Sequence, residues 1–230
     1  MNNIITNMNP FNAVLGSLFY GDFLESLIGI LIFIALTFVG INFSRKFSSA
    51  NEQFISSNPT TISNPIVFNV SAVFIFLVAI INLLVTIADF DTSYFFSSLV
   101  DVIISIIVTS LLLAFASVYF SPAKMNIRVD ENSSVAEDVI AFLSFNLKLL
   151  AHFSKLIASM IVIIAVIDLF YAFFSMLGDD GYSIARQVMS AGGLFLAGIF
   201  TPVFIYIIFL FSYPIFNYLL AILHIPKLNR

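Results

Sequence analysis

A chain of 230 residues that is 60% hydrophobic and only 10% charged, with a mean hydropathy of +1.08, is excluded from the ordinary soluble domains, where charged residues make up about a quarter. The net charge of −4 comes with no run of Lys or Arg that would make a nucleic-acid surface. The absence of cysteine excludes disulfides, thiolate chemistry and Cys-ligated metals.

Asn9 and Pro10 supply an N-cap and a first-turn proline, and Phe11, Val14, Leu15, Leu18 and Phe19 recur at helical spacing. They predict a short interfacial helix over residues 10–20. The N-terminus lacks a basic n-region, so it does not read as a cleavable signal. Asp22 and Glu25 form a capping pair for a first membrane span over 23–43, which ends at Arg45 and Lys46. Residues 48–64, with Pro59 and Pro65 close by, read as a loop too short to bury a core. A second span covers 66–88. A turn with Asp89 and Asp91 leads to a third, over 94–120, stopped by Ser121-Pro122. The highly charged residues 123–134 read as a connector rather than a ligand-binding fold.

No proline or glycine interrupts 135–177. A continuous helix of that length would measure about 64 Å, roughly twice the hydrocarbon thickness of a bilayer. Residues 135–155 therefore read as a cytoplasmic or interfacial amphipathic extension, and 156–177 as the fourth span. Lys148, His152 and Lys155 fall near one face of the extension, as expected for a surface that meets lipid headgroups or a partner. Gly178-Asp179-Asp180-Gly181 reads as an outer turn. The last apolar run is longer than one crossing, and Pro202 and Pro214 divide it into a kinked fifth span over 187–212 and an interfacial helix over 215–225.

This partition places Arg45, Lys46, Lys124, Arg128, Lys148, Lys155, Lys227 and Arg230 on one side of the bilayer and only Arg186 on the other. By the positive-inside rule the first set is cytoplasmic. The fold expected is an all-α integral membrane protein, a five-span helical bundle forming a single transmembrane domain, with its N-terminus outside and its C-terminus in the cytoplasm.

Each span carries one small or polar stripe. Asn82 and Thr86 follow Ala72 and Ala79 on the second span; Ser98, Asp101, Ser105 and Thr109 line the third. Ala158, Ala165, Asp168 and Ala172 line the fourth, and Gly193, Ala197 and Thr201 the fifth. Small residues let helices approach closely in lipid, and hydroxyls and amides join them by hydrogen bonds, so such stripes serve packing alone as readily as transport. Asp101 and Asp168 are the sharper candidates, because an ionisable group inside a span marks a functional site by default. Arg186 is the natural ion-pair partner for Asp101, and Asn82 or a serine the natural hydrogen-bond partner for Asp168.

Leu99-Val100-Asp101 and Val166-Ile167-Asp168 lack the glycine-rich context and tyrosine neighbour of intramembrane aspartyl proteases. His152 and His224 are far apart, and no carboxylate-histidine spacing on one helix makes a metal site. No catalytic residue, metal or cofactor is expected. The sequence points to a non-enzymatic subunit of a multi-protein membrane assembly, concerned with transport or secretion and lodged in a bacterial cytoplasmic membrane. Its partners would be the lipid bilayer and other membrane proteins or copies of itself, with no nucleic acid. The rival reading is a homo-oligomeric cation channel or cation-coupled carrier in which Asp101, Asp168, Asn82, Ser105 and Thr109 mark the pathway.

Overall fold

The computed structural model describes residues 23–130, 133–175 and 181–228. The expected interfacial helix over 10–20 and the turn at 178–180 lie outside the described residues. The elements are α1 (Phe23–Ser57), β1 (Thr60–Ile62), α2 (Ile66–Ala88), α3 (Phe95–Tyr119), β2 (Ile127–Val129), α4 (Val135–His152), α5 (Ser154–Ser175) and α6 (Gly181–Leu228), with 3-10 turns at Thr92–Tyr94 and Pro122–Met125. Five helical segments are long and apolar enough to cross a membrane: Ile28–Ser57, Ile66–Ala88, Thr92–Tyr119, Ser154–Ala172 and Gln187–Leu223. The chain is a multipass, all-helical membrane protein with one small two-stranded sheet.

Two boundaries differ from the sequence reading and a third agrees with it to within three residues. First, α1 does not stop at Arg45 and Lys46 but continues to Ser57. No glycine or proline stands between Ile41 and Asn58, and the hydroxyls of Ser49, Ser56 and Ser57 back-bond to carbonyls three residues earlier. The helix ends where Pro59 forbids helical backbone at the preceding residue. Second, the expected division of 135–177 falls at Phe153, two or three residues before the boundary read at 155/156. Phe153 closes α4 with its amide on the Leu149 carbonyl at 3.0 Å, and its ring lies tilted against Phe115, centroids 5.0 Å apart. Third, α6 runs through both Pro202 and Pro214, so residues 215–225 are not a separate helix. Lipid-embedded helices tolerate proline where neighbouring groups take up the freed backbone positions.

The chain divides into two compact units. One contains the described parts of 1–44 and 157–201. Here glycine sets the helix approach. A Cβ at Gly40 would overlap Ile199 Cγ2, and one at Gly198 would lie 2.9 Å from Val162 Cγ2 and 3.1 Å from the Val162 amide nitrogen. Phe33 stacks on Phe195 with centroids 6.0 Å apart. The expected stripe of Gly193, Ala197 and Thr201 is not the buried one. Ala197 is exposed and the packed side carries Ala191, Gly198 and Ile199. Gly198→Ala should therefore lower thermal stability in detergent by about 1–3 kcal/mol through overpacking. Gly193→Ala, with nothing within 4 Å of its Cβ, should raise it by roughly 0.5–1 kcal/mol through helix propensity. Equal responses at the two sites would contradict the close approach at Gly198.

The other unit contains residues 45–156 and 202–230. Its centre is the pairing of the two segments that read as connectors. β1 and β2 are parallel, with Thr60 opposite Ile127 and Ile62 opposite Val129, both short runs rich in β-branched residues. α4 packs against β1. A capping box fixes the start of α4, Ser134 Oγ accepting from the Glu137 amide and Glu137 Oε2 from the Ser134 amide. Ile62, Phe68, Met125, Ile127, Phe145 and Leu149 are buried in one cluster there. These loops thus acquire a core jointly that neither has length to form alone.

The expected polar face of α4 is divided rather than turned wholly to the surface. His152 is exposed, but Glu137, Ser144 and Lys148 are buried along with Phe145 and Leu149, and Val139 and Leu143 turn outward, 56% and 47% exposed.

Candidate functional site

Polar groups on α2 and α3 meet in one ladder, joining three residues that the sequence singled out. Asn82 Nδ2 donates to Ser105 Oγ at 2.9 Å and to Thr109 Oγ1 at 3.3 Å. Thr86 Oγ1 lies 3.0 Å from Ser105 Oγ and 2.9 Å from the Asn82 carbonyl, and Thr109 Oγ1 donates to the Ala79 carbonyl at 3.4 Å. Ala72 and Ala79 are fully buried beside this ladder, so the small-residue stripe of α2 brings the backbones together and the amide and hydroxyls bond across the gap. Both Asn82 amide hydrogens are engaged within the pair. Interhelical hydrogen bonds of this kind contribute about 0.6 kcal/mol each on average in a membrane, and their geometry is that of a helix-helix joint.

The two aspartates are not in the ladder. Asp101 is exposed on α3, one turn before Ser105, and makes no hydrogen bond or ion pair among the described residues. The Arg186 side chain lies outside the described residues. Asp168 is half-buried on α5, at the edge of the stripe in which Ala158, Ala165 and Ala172 are buried. It belongs to the other compact unit.

The three basic candidates also separate. His152 and Lys155 are exposed, and Lys155 Nζ stands 3.6 Å from Glu52 Oε1, an exposed pair of the kind that contributes at most about 1 kcal/mol. Lys148 is not on that surface. It is fully buried, because the α4 face that carries it packs on β1. Its ammonium donates to the Asn58 carbonyl and, at 2.7 Å, to Thr60 Oγ1; Thr60 Oγ1 in turn lies 3.4 Å from Ser144 Oγ. Burial pushes the ammonium from the usual 10.5 down to about 8. Thr60, Asn58 and Ser144 were not singled out from the sequence. Ser144 alone carried a signal, standing one helical turn before Lys148.

Asp138 anchors the same module from the start of α4. Burial opposes its ionisation, yet the Ser63 amide at 2.8 Å, the Ser63 hydroxyl and Ser133 Oγ at 2.7 Å outweigh it and hold the carboxyl below its usual range. The result ties α4 to the chain just before α2. Among the described residues no three His, Asp or Glu side chains gather as metal ligands. No protein-family model, curated protein or solved structure matches this chain.

Proposed function

We propose that the chain is a non-enzymatic multipass subunit of a multi-protein membrane assembly serving transport or secretion, in a bacterial cytoplasmic membrane with the N-terminus outside. The orientation follows from the Lys and Arg bias across the spans. The observation that carries the assembly reading is Asp101. A carboxylate at the centre of a membrane helix costs about 2.5–3.5 kcal/mol on insertion scales; Asp101, about two turns inside α3, bears a smaller cost of the same kind, being exposed with no partner among the described residues. A neighbouring chain that supplies a donor or a wet interface removes that cost. The outward apolar face of α4 at Val139 and Leu143 gives the module outside the spans a second surface that is stabilised by cover.

The rival, a self-sufficient cation pathway, draws less support from the same geometry. Asn82, Ser105 and Thr109 bond to one another, which leaves them poorly placed to coordinate a passing ion. Purification in mild detergent, with identification of co-purifying chains, separates the two. A stoichiometric foreign chain is expected, and Asp101→Leu should release it while leaving insertion and thermal stability unchanged. A pure homo-oligomer that conducts cations in liposomes, and loses conduction in Asp101→Asn or Asp168→Asn, would overturn the subunit reading.

A further inference from the structure

The module outside the spans contains an open cleft of about 390 Å³, lined by Glu52, Ser56, Lys124, Asn126 and His152 over a floor that includes the buried Ile55. Its volume falls in the range of small-ligand sites. Three chain segments converge on it, each at the end of an apolar span. Glu52 and Ser56 belong to the last turns of α1, Lys124 to the 3-10 turn just after the span that ends at Tyr119, and His152 to the residue pair before the span that starts at Ser154. The cleft therefore lies at the ends of three helical segments that are long and apolar enough to cross a membrane.

Its shape is held by Asn126, the one non-glycine residue among those described with positive φ, at 55°. Asparagine tolerates this left-handed conformation better than most residues. Its amide donates to the carbonyls of Ile55 at 3.3 Å and Ser56 at 3.0 Å, so it caps α1 and fixes the 3-10 turn that carries Lys124 beside that helix end. The single carboxylate of the lining, Glu52, is drawn to Lys155 at 3.6 Å. Lys124 and His152 are both exposed, and neither has a carboxylate partner of that kind among the described residues. With Lys155 counted against Glu52, the cleft presents a cationic amine and an imidazole, since the Ser56 hydroxyl already donates to the Gln53 carbonyl at 2.8 Å.

We propose that this cleft binds the phosphate headgroup of an anionic phospholipid. Lys124 supplies the charge, His152 supplies a further donor, and Ile55 offers an apolar floor to the glycerol end. Basic pockets at the ends of membrane helices recognise anionic headgroups by this chemistry. Phosphate chemistry is shared with soluble anions, but two observations favour lipid. The cleft stands at the ends of three apolar spans, and the neighbouring helix α4 presents the apolar Val139 and Leu143 outward, as a helix lying on a bilayer does.

The test uses the full chain in detergent, titrated with phosphatidylglycerol or phosphatidylcholine and read by native mass spectrometry. Retention of phosphatidylglycerol over phosphatidylcholine is expected, with about five-fold weaker retention when Lys124→Gln and His152→Gln are combined, since a Lys or Arg near an anionic surface is worth about 1 kcal/mol and Lys124 supplies the charge. Arg45→Gln with Lys46→Gln removes basic charge on the exposed side of α1 away from the cleft and should leave retention within about two-fold. Lys124→Arg, which keeps the charge, should restore binding and guards against a folding defect in the double variant. Equal losses in the two double variants would overturn the proposal in favour of diffuse attraction. Displacement of the lipid by millimolar inorganic phosphate, with unchanged affinity for phosphate in lipid-free protein, would reassign the cleft to a soluble anion.

Discussion

Lys148→Glu is expected to unfold the module built from β1, β2 and α4, at a cost of about 3–5 kcal/mol, the range found when a buried charge is left uncompensated. The native ammonium is fully buried and faces two oxygens, the Asn58 carbonyl and Thr60 Oγ1. A carboxylate in its place would face the same acceptor carbonyl with no cation near it. The wild-type residue is itself a strained compromise, and its cost depends on pH. Its folded-state value of about 8 lies below the ordinary 10.5, so between these two pH values the unfolded chain holds more protons than the folded one. Stability therefore rises with pH across that window. The penalty is fully present below pH 8, where both states are protonated, and is relieved above 10.5; its size is about 3 kcal/mol. Lys148→Met removes the titrating group and should abolish this alkaline rise while keeping the fold. Hydrogen exchange at residues 60–62 and 127–129, followed from pH 7 to 10 in wild type and Met variant with correction for intrinsic exchange, measures it. A rise of equal slope in both proteins would assign it to another group.

The behaviour of Lys148 also marks the limit of what the sequence made legible. Spans 66–88 and 94–120 were legible because hydropathy and the turn residues Asp89 and Asp91 act locally, and the structure places helices at Ile66–Ala88 and Phe95–Tyr119. The members of the α2–α3 ladder were legible, because Asn82, Ser105 and Thr109 stand on helical stripes, but their pairing was not: the sequence offers Asn82 to Asp168, and the structure bonds it to Ser105 and Thr109. Asp168 was visible as a residue, but nothing in a single stripe determines what covers its edge. Lys148 was misplaced for a different reason. Helical periodicity shows that a face is polar, but not whether that face meets water or a hydrogen-bonding strand. The strand is β1, and its partner β2 lies more than sixty residues further along the chain. Both segments are three residues long, too short for period-two alternation to register. The ends of α1 and α6 are missed more simply: basic residues mark a membrane boundary rather than a helix end, so α1 continues past Arg45 and Lys46, and α6 continues through two prolines that would break a helix in water.

The same non-local pairing makes Phe145→Ala the decisive test that the two former loops form a core. Phe145 is fully buried, with its ring centroid 4.5 Å from that of Phe68 and 4.8 Å from that of Tyr119. It therefore joins α4 to the first turn of α2 and the last of α3, while Ile62, Met125 and Ile127 enclose the same cluster from the two strands and the 3-10 turn that precedes β2. Truncation removes most of an aromatic side chain from a site held on several sides, so little collapse is available to refill the cavity. The expected cost is about 3–5 kcal/mol. Leu143→Ala, two residues away but 47% exposed, should change stability by no more than about 0.5 kcal/mol. Because α4 lies outside the five apolar spans, the loss at Phe145 should appear as faster exchange and proteolysis across 58–64 and 122–152 while the spans keep their helical circular dichroism. If Phe145→Ala and Leu143→Ala are instead indistinguishable, residues 48–64 and 123–134 are connectors after all, and both the buried environment of Lys148 and the cleft built on Asn126 lose their foundation.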